Sequence, residues 1–262
     1  MSVFLALIAV LGVSASGPLM AGNAAPALAI AFWRNAGGAA LIAPFAVARN
    51  RTELRALSGR QWLLSALAGA MLAAHFAAWV SALKLTSVAA ATALVTTQLI
   101  WVVLIDRIKG VKPSAAVLAG MALSISGVLV ISGFDFALST RAITGDVLAV
   151  LGGLFAALYL VVGSEVRKTL STTAYTLLCY GFCALFLVTA SLAFGVPLTG
   201  FTMKSWLLIA AVTIAAQLLG HSLLNHLLAV MSPIVISLVI LLEVPGAALL
   251  AGVFLGQTPP WG

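Results

Sequence analysis

Glu243, His221, Gln217 and Asn225 are polar side chains in a stretch that otherwise holds hydrocarbon. They interrupt residues 217–256, which read as two long apolar helices joined around Met231, Ser232 and Pro233. Ser232 suits an N-cap, and Pro233 cannot continue one helix but starts the next. Gln217, His221 and Asn225 fall at i, i+4 and i+8, with Thr213 extending the row, so an α-helix puts them on one face. At about 1.5 Å per residue, His221 lies roughly 14 Å and Glu243 roughly 15 Å from the joining turn, so an antiparallel pair sets them at one depth. An ionisable group near mid-membrane costs about 2.5–3.5 kcal/mol, so both are expected to face a protein interior or a wet cavity. Glu243 is then either a carrier of protons or a neutral group bonding a neighbouring helix. The stripe either lines a path for a polar solute or glues helices together. His221 with Glu243 is also the pair that a membrane-embedded enzyme would need.

The elements that must hold these groups follow from composition. Apolar residues make up 63% of the 262-residue chain and charged residues 7%, against roughly 25% charged in soluble domains. This is an integral membrane protein, all α-helical. The net charge of +7 does not indicate nucleic acid, because the basic residues sit between apolar segments rather than on a face or arm. Three His and six acidic residues leave little for a metal centre. Cys179 and Cys183, four apart in an apolar run, read as small packing residues rather than a redox pair. No HExxH, P-loop, GxSxG or GxGxxG occurs, and no cofactor is expected. The first residues lack a basic n-region and read as a span rather than a signal peptide.

Nine spans are expected, at about 3–22, 27–48, 61–83, 87–105, 113–133, 146–164, 174–195, 205–230 and 233–255. Loops on one side hold Arg49, Arg51, Arg55, Arg60, Arg107, Lys109, Lys112, Arg167 and Lys168; the other side holds Lys84, Arg141 and Lys204. This asymmetry predicts a multi-pass protein of the cell (plasma or inner) membrane with its N-terminus in the cytoplasm. The chain ends at Pro259, Pro260 and an interfacial Trp261, where a tenth span is expected and apparently missing.

A weak repeat divides the chain. Trp62 in span three matches Trp206 in span eight, and residues 87–98 align with 232–243, which puts Gln98 at the place of Glu243. Units of five spans related this way are inverted, and such repeats bind solute near the midplane. In the first half, His75 and Gln98 lie at matching depths, roughly 12 and 16 Å from the side opposite the N-terminus. Trp79 shares a face with His75; it is either an aromatic wall for a solute or an interfacial belt residue near Lys84. Arg34, roughly 12 Å into span two, either attracts a carboxylate solute, snorkels to headgroups or pairs with an acid. Gly252 and Gly256 form a GxxxG pair that reads as close packing within a copy or in a homodimer.

Order and spacing of these segments resemble the EamA-type branch of the drug/metabolite transporter superfamily. The resemblance rests on ALKLTSVAAATALVTTQLIW, on LLAVMSPIVISLVILLEVPGAALLAGVFLGQ, on GHSLLN with His221 and Asn225, on HFAAW with His75 and Trp79, and on FWRNAGGAALIAPF with Arg34. It implies a ten-helix fold of two inverted five-helix repeats, here residues 1–133 and a second unit, 146–262, cut after four helices. It implies a secondary transporter, a permease or exporter of small metabolites such as amino acids. The partners would then be a solute, the bilayer and, through Glu243, protons; the alternatives are an embedded enzyme or a non-transporting scaffold subunit. Three departures stand out. Leu99 occupies a place where Pro is frequent, predicting a weaker helix break in the first half. Glu243-Val244-Pro245 shifts the second break by one residue. Gln257 stands where a Glu is usual, so any role of that acid is expected to be lost.

Overall fold

Seven of the described helices begin at a hydroxyl that the sequence places just before an apolar run, Ser114 among them. Ser58, Ser87, Ser139, Ser171, Thr202 and Ser232 each accept from the backbone N–H three residues on, an N-cap contributing about 1 kcal/mol. Ser58 and Gln61 complete a capping box. The computed structural model describes residues 2–133 and 139–257; Pro259, Pro260 and Trp261 lie outside them.

In chain order the α-helices are α1 (Ser2–Ser14), α2 (Ser16–Ala21), α3 (Ala27–Arg55), α4 (Gly59–Ala82), α5 (Val88–Val95), α6 (Gln98–Ile108), α7 (Ala115–Gly133), α8 (Thr140–Arg167), α9 (Thr172–Ala193) and α10 (Met203–Val212). A π-helix, Thr213–His221, leads into α11 (Ser222–Leu227); α12 (Pro233–Ile240) and α13 (Glu243–Leu255) follow. Joined end to end, they give eight segments long and apolar enough to cross a membrane, and α7 coincides with the expected fifth span. Helix α3 reaches Arg55 across a kink at Asn50, and α8 starts at Thr140, so each is longer than its apolar core. We call the end of the bundle holding Ser2 proximal and the opposite end distal.

Glycine sets the close crossings. A Cβ on Gly69 of α4 would meet Phe182, Cys179 and Cys183 of α9 at 2.5–3.0 Å, so the two cysteines serve as buried, free packing residues. Gly12 of α1 faces Gly220 of the π-helix, and Gly246 of α13 faces Ser14. Gly252 and Gly256 are different. A Cβ on Gly252 would meet only the Gln257 carbonyl at 3.7 Å, and one on Gly256 nothing within 4 Å. Among the described residues no close packing inside the copy meets them, and Gly256 ends α13 at φ +65°, a left-handed cap that glycine adopts freely.

Two spans are broken at mid-depth. The fourth breaks at Thr96 and Thr97, whose hydroxyls donate to the carbonyls of Ala93 at 2.7 Å and Leu94 at 2.6 Å. The break therefore forms without a proline at Leu99, because side-chain donors substitute for the helical N–H. The ninth breaks at Leu241 and Leu242. Pro245 has no N–H and its ring excludes the carbonyl four residues back, which is that of Leu241. Gln98 is thus the first residue of α6 and Glu243 the first of α13.

Candidate functional site

Both half-helices aim their N-termini at the centre of the bundle. Glu243 sits in the first turn of α13, where the helix dipole favours a carboxylate. Gln98 holds the same place on α6. Between them lies a cavity lined by Val13, His75, Trp79, Val95, Gln98, Ala156, Tyr159, Leu160, His221, Leu224, Ile240 and Glu243. It is narrow, with room for about two or three waters.

The polar side chains of this cavity are held at one edge and free at the other. His75 donates from Nδ1 to the Gly152 carbonyl at 2.9 Å. A carbonyl cannot donate, so this bond places the proton of a neutral ring on Nδ1 and leaves Nε2 an acceptor. Trp79 stacks on His75 with centroids 5.7 Å apart and planes 17° apart. At 2% exposure Trp79 is an inner wall and not an interfacial belt residue. Its Nε1–H and the Gln98 Nε2 are buried without a partner among the described residues. Glu243 is 6% exposed, and no hydrogen bond from the described residues reaches its carboxylate. His221 lies against Phe76, Tyr159 and His75, at centroid distances of 5.3, 6.5 and 6.5 Å.

The stripe on the eighth span does not stay on one face. The π-helix adds residues to each turn, so a step of four no longer completes one. Thr213 faces Gly37, His221 reaches the cavity, and Gln217 turns to α3. Asn225 stands behind Tyr159, which donates its hydroxyl to the Asn225 side-chain oxygen. The π turn is held by Ser222 and Tyr180, both donating to the Gln217 carbonyl at 3.1 Å. His226 faces elsewhere, against Thr172.

Arg34 is fully buried and neither snorkels nor meets an acid. Its Nε donates to Gln217 Oε1 at 2.8 Å and its Nη1 to Ser16 Oγ at 3.1 Å, with Met20 Sδ at 3.4 Å. The guanidinium lies 4.1 Å from the Phe76 ring centre. Gln217 Nε2 in turn donates to Asn35 Oδ1 at 2.9 Å. Arg34 is therefore one aromatic ring removed from the cavity, behind the Phe76 that His221 touches.

Of the residues chosen from sequence, His75, Trp79, Gln98, His221 and Glu243 meet in the cavity; Arg34 and Gln217 form the adjoining network; Asn225 is reached through Tyr159. Sequence reasoning missed Tyr159. Its signal was present in Tyr159 standing as a polar group within an apolar span. Gln257, singled out from sequence only as the loss of a usual acid, accepts at its Oε1 from the Val88 N–H at 3.0 Å. A Gln at that position thus ties α13 to the start of α5 without a negative charge. Among the described residues, no group of three or more His, Cys, Asp or Glu could hold a metal ion. A second, wider pocket of about 470 Å³ opens at the distal end between α2, α10 and α13, and among the described residues Lys204 is its one charged lining residue.

A helical bundle of apolar spans, with polar side chains gathered at two mid-depth helix breaks, is the architecture of a multi-pass membrane transporter. The chain belongs to the EamA-like transporter family, whose profile matches residues 1–133 and again 143–262. An uncharacterised transporter of Archaeoglobus fulgidus is 33% identical over 141 residues, which are 53% of this chain and 48% of that protein. The aligned part thus spans about half the length of that relative. A protein of solved crystal structure has the same fold, with a TM-score of 0.78 over 100% of this chain and 90% of its own at 18% identity.

Proposed function

We propose that the protein carries a small polar metabolite, such as an amino acid, across the cell membrane by alternating access of two inverted halves, residues 1–133 and 146–262. The observation that carries this reading is the narrow mid-depth cavity in which, among the described residues, the buried Trp79 Nε1 and Gln98 Nε2 have no hydrogen-bond partner, beside the buried Glu243 carboxylate. A buried polar group without a partner is costly, so these groups await a solute or water. Two edge contacts support the inverted halves: Trp62 at the start of α4 meets Phe182 of α9, while Trp206 at the start of α10 meets Trp33 of α3. Glu243 is the candidate proton carrier, and the basic loops put the proximal end in the cytoplasm.

The test compares metabolites in cells and spent medium for the full-length protein and its Glu243→Gln variant at matched membrane expression. One solute class leaving the cell only with the intact protein establishes export and names the solute. Equal metabolite pools in both cultures, followed by equal uptake, would exclude transport of that panel. Proton coupling requires Glu243→Gln to abolish pH-driven flux while gradient-driven flux survives; equal loss of both rules it out.

A further inference from the structure

The two ends of the bundle that flank the cavity are tied differently. At the proximal end, Glu53 accepts from the Ser171 N–H and hydroxyl, both at 2.6 Å, and Gln61 donates to Thr169 at 3.2 Å. These contacts sit at helix ends. At the distal end the tie is a cation turned inward. Lys84 lies in the turn between α4 and α5, half-buried, and its ammonium donates to the carbonyl of Met20 at 2.9 Å and to that of Asn23. Those carbonyls close the first span, where a helix end favours positive charge. The same turn is gripped from outside by Arg141, which donates to the Lys84 carbonyl at 2.7 Å. Asn23 extends the tie across the bundle: its side chain accepts from Ala25 N–H at 2.9 Å and donates to the Ser205 carbonyl, where α10 begins, at 3.1 Å.

This latch is specific to one half. The repeat that sets Ser87 against Ser232 puts Ala229 in the place of Lys84, so the matching turn at the other end has no cation there. It also reaches inward, because Met20 offers its carbonyl to Lys84 and its sulfur to Arg34. A change at the latch is therefore one residue from the network behind the cavity.

We propose that Lys84 is the bolt of the distal gate: by donating to the Met20 and Asn23 carbonyls it holds the α4–α5 turn against the end of the first span, and the cavity opens to that side when the ammonium lets go. The inference rests on the alternating-access reading, but its test does not need the solute. Ala156 lines the cavity and is 5% exposed, so Ala156→Cys, in the full-length protein in proteoliposomes, reports access to a membrane-impermeant thiol reagent added at the distal face. The chain without this change provides the blank, since Cys179 and Cys183 are buried. In the Ala156→Cys protein, Lys84→Met is expected to raise distal labelling about tenfold, a shift of about 1.4 kcal/mol in a closing equilibrium, whereas Lys84→Arg keeps it within about twofold. Should Lys84→Met not fold, Lys84→Gln, which retains a donor, gives a rise between these limits. Labelling of Lys84→Met or Lys84→Gln at the unmodified rate, with an unchanged melting temperature, overturns the bolt while leaving transport itself untouched. Loss of all transport with the tenfold labelling effect intact would overturn the metabolite assignment and not the gate.

Discussion

Two buried polar regions lie one aromatic ring apart and differ in who their partners are. Around Arg34 the protein supplies most of them: Gln217, Ser16 and Met20 meet the guanidinium, Phe76 covers it, and Asn35 completes Gln217, although one guanidinium nitrogen stays unpaired. Around Glu243 the described residues supply almost none, and the buried Trp79 and Gln98 donors line the same cavity without a partner among them. The same burial therefore has opposite meanings. A largely satisfied network fixes helices α2, α3 and the π-helix to each other; on the proposed function, the less satisfied one leaves bonds for a solute. Polarity in a membrane span does not by itself mark a site, and partner accounting separates the two cases.

The sharpest way to break that contrast is to remove the centre of each region. Arg34→Ala strips Gln217 and Ser16 of a partner and leaves a void under Phe76, so the expected loss is about 4 kcal/mol of stability. It should show as a large drop in melting temperature in detergent, with little protein surviving purification. Glu243→Gln should leave melting within about 1 kcal/mol, because no bond within the protein is lost. Solute flux, in contrast, should fall at least about tenfold, or about 1.4 kcal/mol. Arg34→Ala melting like the unmodified protein, or Glu243→Gln unfolding, would reverse the assignment of the two regions.

Much of this contrast could be read from the sequence, but not its division. Apolar windows located the spans, since hydrocarbon thickness dictates their length. The repeat and the depth count brought Gln98, His75, His221 and Glu243 to one level, where the structure has them. The stripe of Thr213, Gln217, His221 and Asn225 failed because a π-helix has no clear signature in residue types, and one altered turn sends Gln217 and His221 to different neighbours. The partners of Arg34 were also hidden, because Ser16 and Met20 belong to another span and only tertiary packing sets them beside it. The first-half break was hidden for a local reason: two threonines bonding back to the chain replaced the proline that sequence reasoning looked for.

That break offers a test of intermediate size, aimed at the frame that both half-helices share. A Cβ on Gly153 of α8 would lie 2.7 Å from the Val95 carbonyl and 2.9 Å from Thr97 Oγ1. Backbone cannot yield as a side-chain tip does, so Gly153→Ala should cost about 1–3 kcal/mol through overpacking. The change presses on the start of α6, so flux should fall along with melting temperature. A melting temperature equal to that of the unmodified protein would mean that α8 does not brace the break.

The smallest expected effect concerns the distal latch and its pH dependence. Burial lowers the pKa of Lys84 in the closed form, while an opened, hydrated Lys84 returns towards about 10.4. Between the lowered value and the ordinary one, the closed form binds fewer protons than the open form, so raising the pH favours closing. Among the described residues, the charged group bonded to the turn is Arg141, which donates to the Lys84 carbonyl. Distal labelling of Ala156→Cys, divided by that of the same protein with Lys84→Arg, is therefore expected to decline by about twofold or less as the pH rises through this window. The division cancels the reagent's own pH dependence, because both proteins carry the same thiol. A ratio that climbs with pH would show that the neutral amine has lost the two carbonyls, and that hydrogen bonding rather than desolvation governs the latch.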